Sequence, residues 1–184
     1  LADMGIIERS VPPTESNPER SRKGVYGFAD HFIGFWFKFI YPFRAEIESG
    51  HAEKVMRNLD AHYVDGYLAF VFEKVCRQIT WDLRDRIGFG FTRVGSITGA
   101  EEFDVVAVDP EGRKAFVAEC KYHGRPVTAG VLDRLKEKCS RCRELEGYTV
   151  TYGLFSVSGF DENLYAKAKE TGDLLIDLQA MDHC

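Results

Sequence analysis

Glu102, Asp104, Glu119 and Lys121 have the types and spacing for metal-assisted phosphoryl chemistry. If Glu102-Phe103-Asp104 is extended, positions 102 and 104 share a face, because strand side chains alternate with a period of two; Glu119 and Lys121 do the same. A hairpin turning through DPEGRK, Asp109 to Lys114, brings carboxylates and an ammonium together near one end of a sheet. Carboxylate oxygens suit a hard cation such as Mg²⁺ or Mn²⁺, whose remaining positions stay with water and substrate phosphate. Lys121 would then orient or help deprotonate the attacking water, or balance charge on the phosphorus. The plainer reading of the same residues is a cross-strand ion pair with no metal.

The elements that must position these residues can be read from periodicity. Val64, Tyr67, Leu68, Val71, Phe72, Val75 and Ile79 form one apolar stripe of a helix that carries Glu73 beside it. Glu73 could also pair with Arg77 at i,i+4 on a solvated face. FGFTRV, EFDVVAVD, KAFVAECKY and TYGLFSVS read as four strands and LLIDL as a fifth. Helices are expected over 127–145 and 161–171, the latter closed by Gly172. The order αβββαβαβ predicts an α/β fold, a mixed sheet flanked by helices.

Upstream, a strand over 6–11, the loop PPTESNPERSRKG and the strand VYGF read as a hairpin with a long tip. It is either the back half of a winged helix or a surface hairpin. Asp30 can cap HFIGFWFKFIY, whose aromatics at 32, 35, 36, 39 and 43 recur at helical spacing and are expected to be core. A charged amphipathic connector follows over 45–63, interrupted near Gly50. The opening LADMGIIERSV reads as a helix end and a strand, which suggests a fragment cut inside a small domain.

Asp104, a gap, then Glu119-Cys120-Lys121 resembles the D…E-x-K signature of the restriction-endonuclease-like PD-(D/E)XK superfamily, without the proline of the motif name. Glu73 in GYLAFVFEKVC stands where that superfamily often carries an extra glutamate on the preceding helix. The run GIIERSVPPTESNPERSRKGVYGFADHFIGFWFKFIYP, with FEKVC, EFD and ECK, is similar to the C-terminal portion of a group of archaeal and bacterial P-loop AAA-type ATPases. Those proteins place the ATPase first, a winged helix second and a domain of long-unassigned function last. The resemblance implies that residues 1–28 are the tail of the winged helix, 29–60 a helical linker and 61–184 a restriction-endonuclease-like domain. It implies Asp104, Glu119, Lys121 and Glu73 as catalytic residues, Asp104 and Glu119 as metal ligands, and Glu102 as a supporting acid. The ATPase domain would then be an absent partner; no Walker A motif occurs, so ATP is not expected in this segment.

The chain of 184 residues has 24 Lys+Arg against 29 Asp+Glu, a net charge of −5, so any nucleic acid must meet a local patch. Arg125, Arg134, Lys136, Lys138, Arg141 and Arg143 follow the E-x-K strand and could hold phosphates without reading sequence. Arg20, Arg22 and Lys23 form a second basic group at the hairpin tip. A solvated helix face is the plainer reading of the first group, and Glu15 and Glu19 dilute the second.

No apolar run is long enough for a membrane span, and residues 1–21 lack the pattern of a signal peptide, so the cytoplasm is expected. Five cysteines, mostly within apolar patterns, argue against a disulfide framework. Cys139 and Cys142 with Cys120 and His123 could form a zinc site, but buried thiols explain them better. The histidines, His183 included, show no paired spacing.

Two readings stay open: a metal-dependent nuclease acting on DNA, or less readily RNA, as effector of an ATPase; or a catalytically silent module that docks nucleic acid or protein and regulates that ATPase. A third, a small-molecule enzyme, would need an apolar cavity near Trp36 with polar groups converging on it.

Overall fold

The computed structural model describes residues 1–182. Cys184 and His183 lie outside the described residues. Strands β1 (Ile7–Ser10) and β2 (Val25–Phe28) pair antiparallel, from Ile7 opposite Phe28 to Ser10 opposite Val25. Their long connection does not project. Pro12 and Pro13 are buried, and the Arg93 guanidinium donates to the carbonyls of Pro13 and Glu15. The side chain of Arg9 donates to the carbonyls of Pro18, at 2.9 Å, and Ser21. The tip is thus folded back on the sheet.

Asp30 caps α1 (His31–Phe35), its carboxylate accepting from Ile33 N at 2.8 Å. A π-helical stretch, Trp36–Ile40, continues it. The expectation of an aromatic core holds for one side only. Phe39 is fully buried, and Phe35 and Phe39 pack against Tyr63 and Tyr67, but Phe32 is 70% exposed and Trp36 41%. These four positions share one helix face, but Tyr63 and Tyr67 cover only the edge of it that carries Phe35 and Phe39. The apolar groove beside Trp36 is walled by Ile6, Ile7, Phe32 and Phe37, and among the described residues no polar group converges on it, so the small-molecule reading lacks its requirement there.

The connector comprises α2 (Arg44–Glu48) and α3 (Glu53–His62), broken at Gly50 in the left-handed region. The expected long helix opens as a π-helical turn, Tyr63–Leu68, before α4 (Ala69–Ile79). Tyr67, Phe72 and Cys76 are its buried positions; Val64 is exposed. The short α5 (Arg84–Ile87) ends at Gly88 in the left-handed region.

The main sheet runs β3 (Arg93–Ile97), β4 (Phe103–Asp109), β5 (Lys114–Lys121), β6 (Thr149–Ser156) and β7 (Leu174–Asp177) in sequential order. The first three pair antiparallel and the last two join in parallel. The parallel joins follow from the crossover helices α6 (Ala129–Arg141) and α7 (Glu162–Thr171). Asp161 caps α7 and Gly172 closes it at φ 74°, as expected. The chain's last described helix is α8 (Leu178–Asp182). The β4–β5 turn forms at DPEGRK, with Asp109 opposite Lys114 and Asp109 Oδ1 accepting from Gly112 N at 3.1 Å. The first sheet strand begins later than FGFTRV suggests, because Phe89 and Phe91 pack into the core from the loop after α5 instead.

The sheet separates two cores. Toward α4 and α5 lie Phe72, Cys76, Leu83, Val105, Ala107, Phe116 and Phe155. Toward α6 and α7 lie Val106, Val108, Val117, Leu132, Leu135, Leu154 and Leu164. Alternation along β5 and along β4 from Val105 assigns residues to their layers, while Phe103, beyond the register shift, joins the α6-side core. No described helix is long and apolar enough to cross a membrane.

Gly153 in β6 is where Phe116 sits: a Cβ there would lie 2.5 Å from Phe116 Cζ and 3.3 Å from the Leu174 carbonyl oxygen. Gly153→Ala is expected to destabilise the chain by about 1–3 kcal/mol, read as a lower urea midpoint with an unchanged slope.

Candidate functional site

The β4–β5 ladder ends with Val105 opposite Ala118, which leaves Asp104 and Glu119, each the next residue beyond that last pair, at the same end of the sheet. Asp104 Oδ2 accepts from Cys120 N at 2.8 Å, while among the described residues no hydrogen bond reaches its Oδ1. Arg77 on α4 donates to the Asp104 carbonyl at 2.7 Å and lies 3.7 Å from Glu73 Oε2. The i,i+4 pair foreseen for Glu73 therefore exists, and the same arginine ties helix to strand. Lys121 Nζ is 2.8 Å from Glu119 Oε1, and Lys138 Nζ from α6 is 3.2 Å from Oε2.

Three carboxylates, Glu73, Asp104 and Glu119, face three cations, Arg77, Lys121 and Lys138, and burial has the largest effect on the acids. Burial pushes Glu73 up to about 7, with the Asp104 and Glu119 charges adding to it against Arg77. Asp104 is likewise raised by burial and by Glu119, opposed by the Cys120 N–H. Burial acts on Glu119 too, but the Lys121 and Lys138 ammoniums outweigh it and hold that carboxyl below its usual range.

Would these residues accept a divalent cation? Among the described residues no three His, Cys, Asp or Glu stand close enough to form a ready cluster. The donor set nevertheless fits a hard ion: all-oxygen carboxylates, an Asp104 Oδ1 that accepts no hydrogen bond among the described residues, and two partly buried acids, Glu73 and Asp104, whose charge a cation would favour. The thiols offer no alternative centre. Cys120 belongs to the α4-side core and Cys139 and Cys142 to the α6-side core, so the sheet stands between them. Burial pushes Cys139 up to about 12.

Glu102 is placed differently from its expected position. Strand β4 begins at Phe103, because the β3–β4 pairing shifts register before Ile97 meets Phe103, and Glu102 stands exposed just outside the ladder. It lines, with Glu73 and Asp104, a cleft of about 310 Å³ between the β1–β2 hairpin and α4. Glu119 and Lys121 are turned to Lys138 on the α6 side.

The basic residues divide sharply. Lys136 pairs with Asp173 at 2.6 Å, Arg141 with Glu101 and Glu137, and Lys23 with Glu15 and Glu144. Arg22, Arg125 and Arg134 are exposed and make no ion pair among the described residues. Sequence reasoning placed Lys138 in the surface patch, but the structure sets it against Glu119. It missed Arg77 as the strut; that signal was present only as the one-turn spacing from Glu73.

Residues 36–136 match the model of a family described as archaeal and bacterial proteins of unknown function, DUF234. The chain belongs to this family. The matched span includes Glu73, Asp104, Glu119, Lys121 and Arg77. An uncharacterized protein of Methanocaldococcus jannaschii, MJECL04, is 32% identical over 191 positions, covering 97% of this chain and 39% of the relative. The chain thus spans about two fifths of that relative's length. A repair endonuclease from Pyrococcus abyssi superposes with a TM-score of 0.39 at 19% identity over 58% of this chain and 46% of its own. An EndoMS–double-stranded DNA complex gives 0.39 at 19%, over 58% and 44%. The α/β fold expected from the sequence, a mixed sheet flanked by helices, is the fold this DUF234 chain has.

Glu73 keeps its proton to about pH 7 when folded but only to its ordinary 4.5 when unfolded. Between those values the folded chain carries the extra proton, so stability falls as pH rises through the window. Glu73→Gln is therefore expected to raise the melting temperature at pH 8 and leave it nearly unchanged at pH 4.5, measured by circular dichroism without metal.

Proposed function

We propose that this chain is a nuclease domain in which Asp104 and Glu119 hold Mg²⁺ or Mn²⁺ and DNA is the substrate. The observation that carries the reading is that Asp104 and Glu119, on adjacent strands, stand at the same end of the sheet, with Lys121 2.8 Å from Glu119 and Glu73 on the helix that Arg77 ties to Asp104. When bound, the cation would supply an activated water and offset charge on the phosphate. The chain's own contribution is placement. The Cys120 N–H fixes the Asp104 carboxylate through Oδ2 and leaves Oδ1 free of hydrogen bonds among the described residues, and Arg77 anchors the strand that carries it. Lys121, beside Glu119, orients the attacking water or meets the developing charge. Glu73 and Glu102 add anionic character from the cleft side. Arg125, Arg134 and Arg22, free of carboxylate partners, would hold phosphates. Residues 1–28 as a winged-helix tail, 29–60 as linker, 61–184 as nuclease domain and an ATPase as the larger protein's motor complete the proposal.

One observation favours the silent module instead: both oxygens of Glu119 already face ammoniums. The decisive assay is cleavage of labelled single- and double-stranded DNA, with RNA alongside, in Mg²⁺ and Mn²⁺. Asp104→Ala and Lys121→Ala are each expected to lower the rate by roughly two orders of magnitude or more. No cleavage by the intact chain, with no metal binding by calorimetry, would leave the regulatory module. In the same preparations, Arg125→Ala and Arg134→Ala should each weaken DNA binding and lower the salt slope by about one, while Lys136→Met, paired with Asp173, should change it little.

A further inference from the structure

Lys138 reaches Glu119 from a different element than Lys121 does, and that difference matters. Lys121 lies two residues from Glu119 on the same strand face, so its Cα stays beside that carboxylate. Lys138 arrives from α6 on a flexible four-carbon stem, its Nζ 3.2 Å from Glu119 Oε2 and 5.2 Å from the centre of the Phe103 ring. It makes no other ion pair among the described residues, since Arg141 takes Glu101 and Glu137 on the same helix. Its side chain is only 25% exposed, and that of Glu119 18%. A divalent cation shared by Asp104 and Glu119 needs an oxygen of Glu119 and repels the ammonium standing there. A partly buried ammonium released in this way requires another anion, because an unpaired charge away from water is costly. The anion that the proposed reaction brings is a phosphate of the bound strand.

We propose that Lys138 is a displaceable counter-ion, which neutralises Glu119 in the metal-free chain, yields Oε2 to the divalent cation, and then pairs with a phosphate oxygen of the nucleic acid. The proposal rests on the nuclease reading and assigns Lys138 a positioning role rather than a place in a surface patch. Charge is balanced at each stage: Glu119 exchanges one cationic partner for another, and Lys138 exchanges a carboxylate for a phosphate.

The test is Mn²⁺ calorimetry on the full chain and its Lys138→Met, Lys138→Arg and Asp104→Ala variants, with circular dichroism confirming folding. Lys138→Met should bind Mn²⁺ several-fold more tightly than the parent, and Lys138→Arg should stay near it. DNA binding by anisotropy should then show Lys138→Met losing about one unit of salt slope with Mn²⁺ present and none without it. A merely structural lysine would weaken metal binding and leave the two slopes alike. Mn²⁺ bound by the parent, lost in Asp104→Ala and unchanged or weaker in Lys138→Met overturns the counter-ion and leaves the nuclease reading standing. Mn²⁺ bound by neither the parent nor Lys138→Met overturns both.

Discussion

Everything at the candidate site depends on the register of one hairpin. The β4–β5 pairing fixes Val105 against Ala118, and that pairing brings the neighbouring Asp104 and Glu119 to the same end of the sheet. A slip by one residue would turn Val106 and Val117 out of the α6-side core and carry Glu119 to the other layer. The register is held at one end by the Asp109 turn and along its length by opposite burial of alternating residues. The carboxylate pair is therefore a by-product of packing that the fold needs in any case.

Electrostatics then concentrates what the register brings together. Three acids stand within each other's field, two of them raised and one lowered by lysines. Such an arrangement costs stability near neutral pH, a cost that burial of ordinary apolar residues would avoid. Local frustration of this kind is where sequence-level consistency is set aside for chemistry. Arg77 limits the strain by gripping a strand carbonyl and a helix carboxylate together.

Much of this was legible in the residues. Alternation in EFDVVAVD and KAFVAECKY fixed two strands, DPEGRK their turn, and Asp161 with Gly172 the bounds of a helix. The less legible parts are those decided by tertiary partners. Phe89 and Phe91 look like strand residues, but their rings are used by the core from a loop. Trp36 and Phe32 share a helical repeat with buried neighbours, yet they stay 41% and 70% exposed. Lys138 belongs by spacing to a run of solvated cations, and only the height of α6 over β5 turns it toward Glu119. Glu102 was misplaced by a register shift in β3–β4 that no local pattern announces.

The connection between β1 and β2 is held largely by its main chain. Arg9 and Arg93 donate to carbonyl oxygens of Pro13, Glu15, Pro18 and Ser21, and a carbonyl is the same acceptor whatever side chain it carries. The seat of this loop is thus written in residues outside most of it. Side chains along the tip can be exchanged while the loop stays where it is, so the rim of the cleft can be given new chemistry without the framework beneath it being rebuilt.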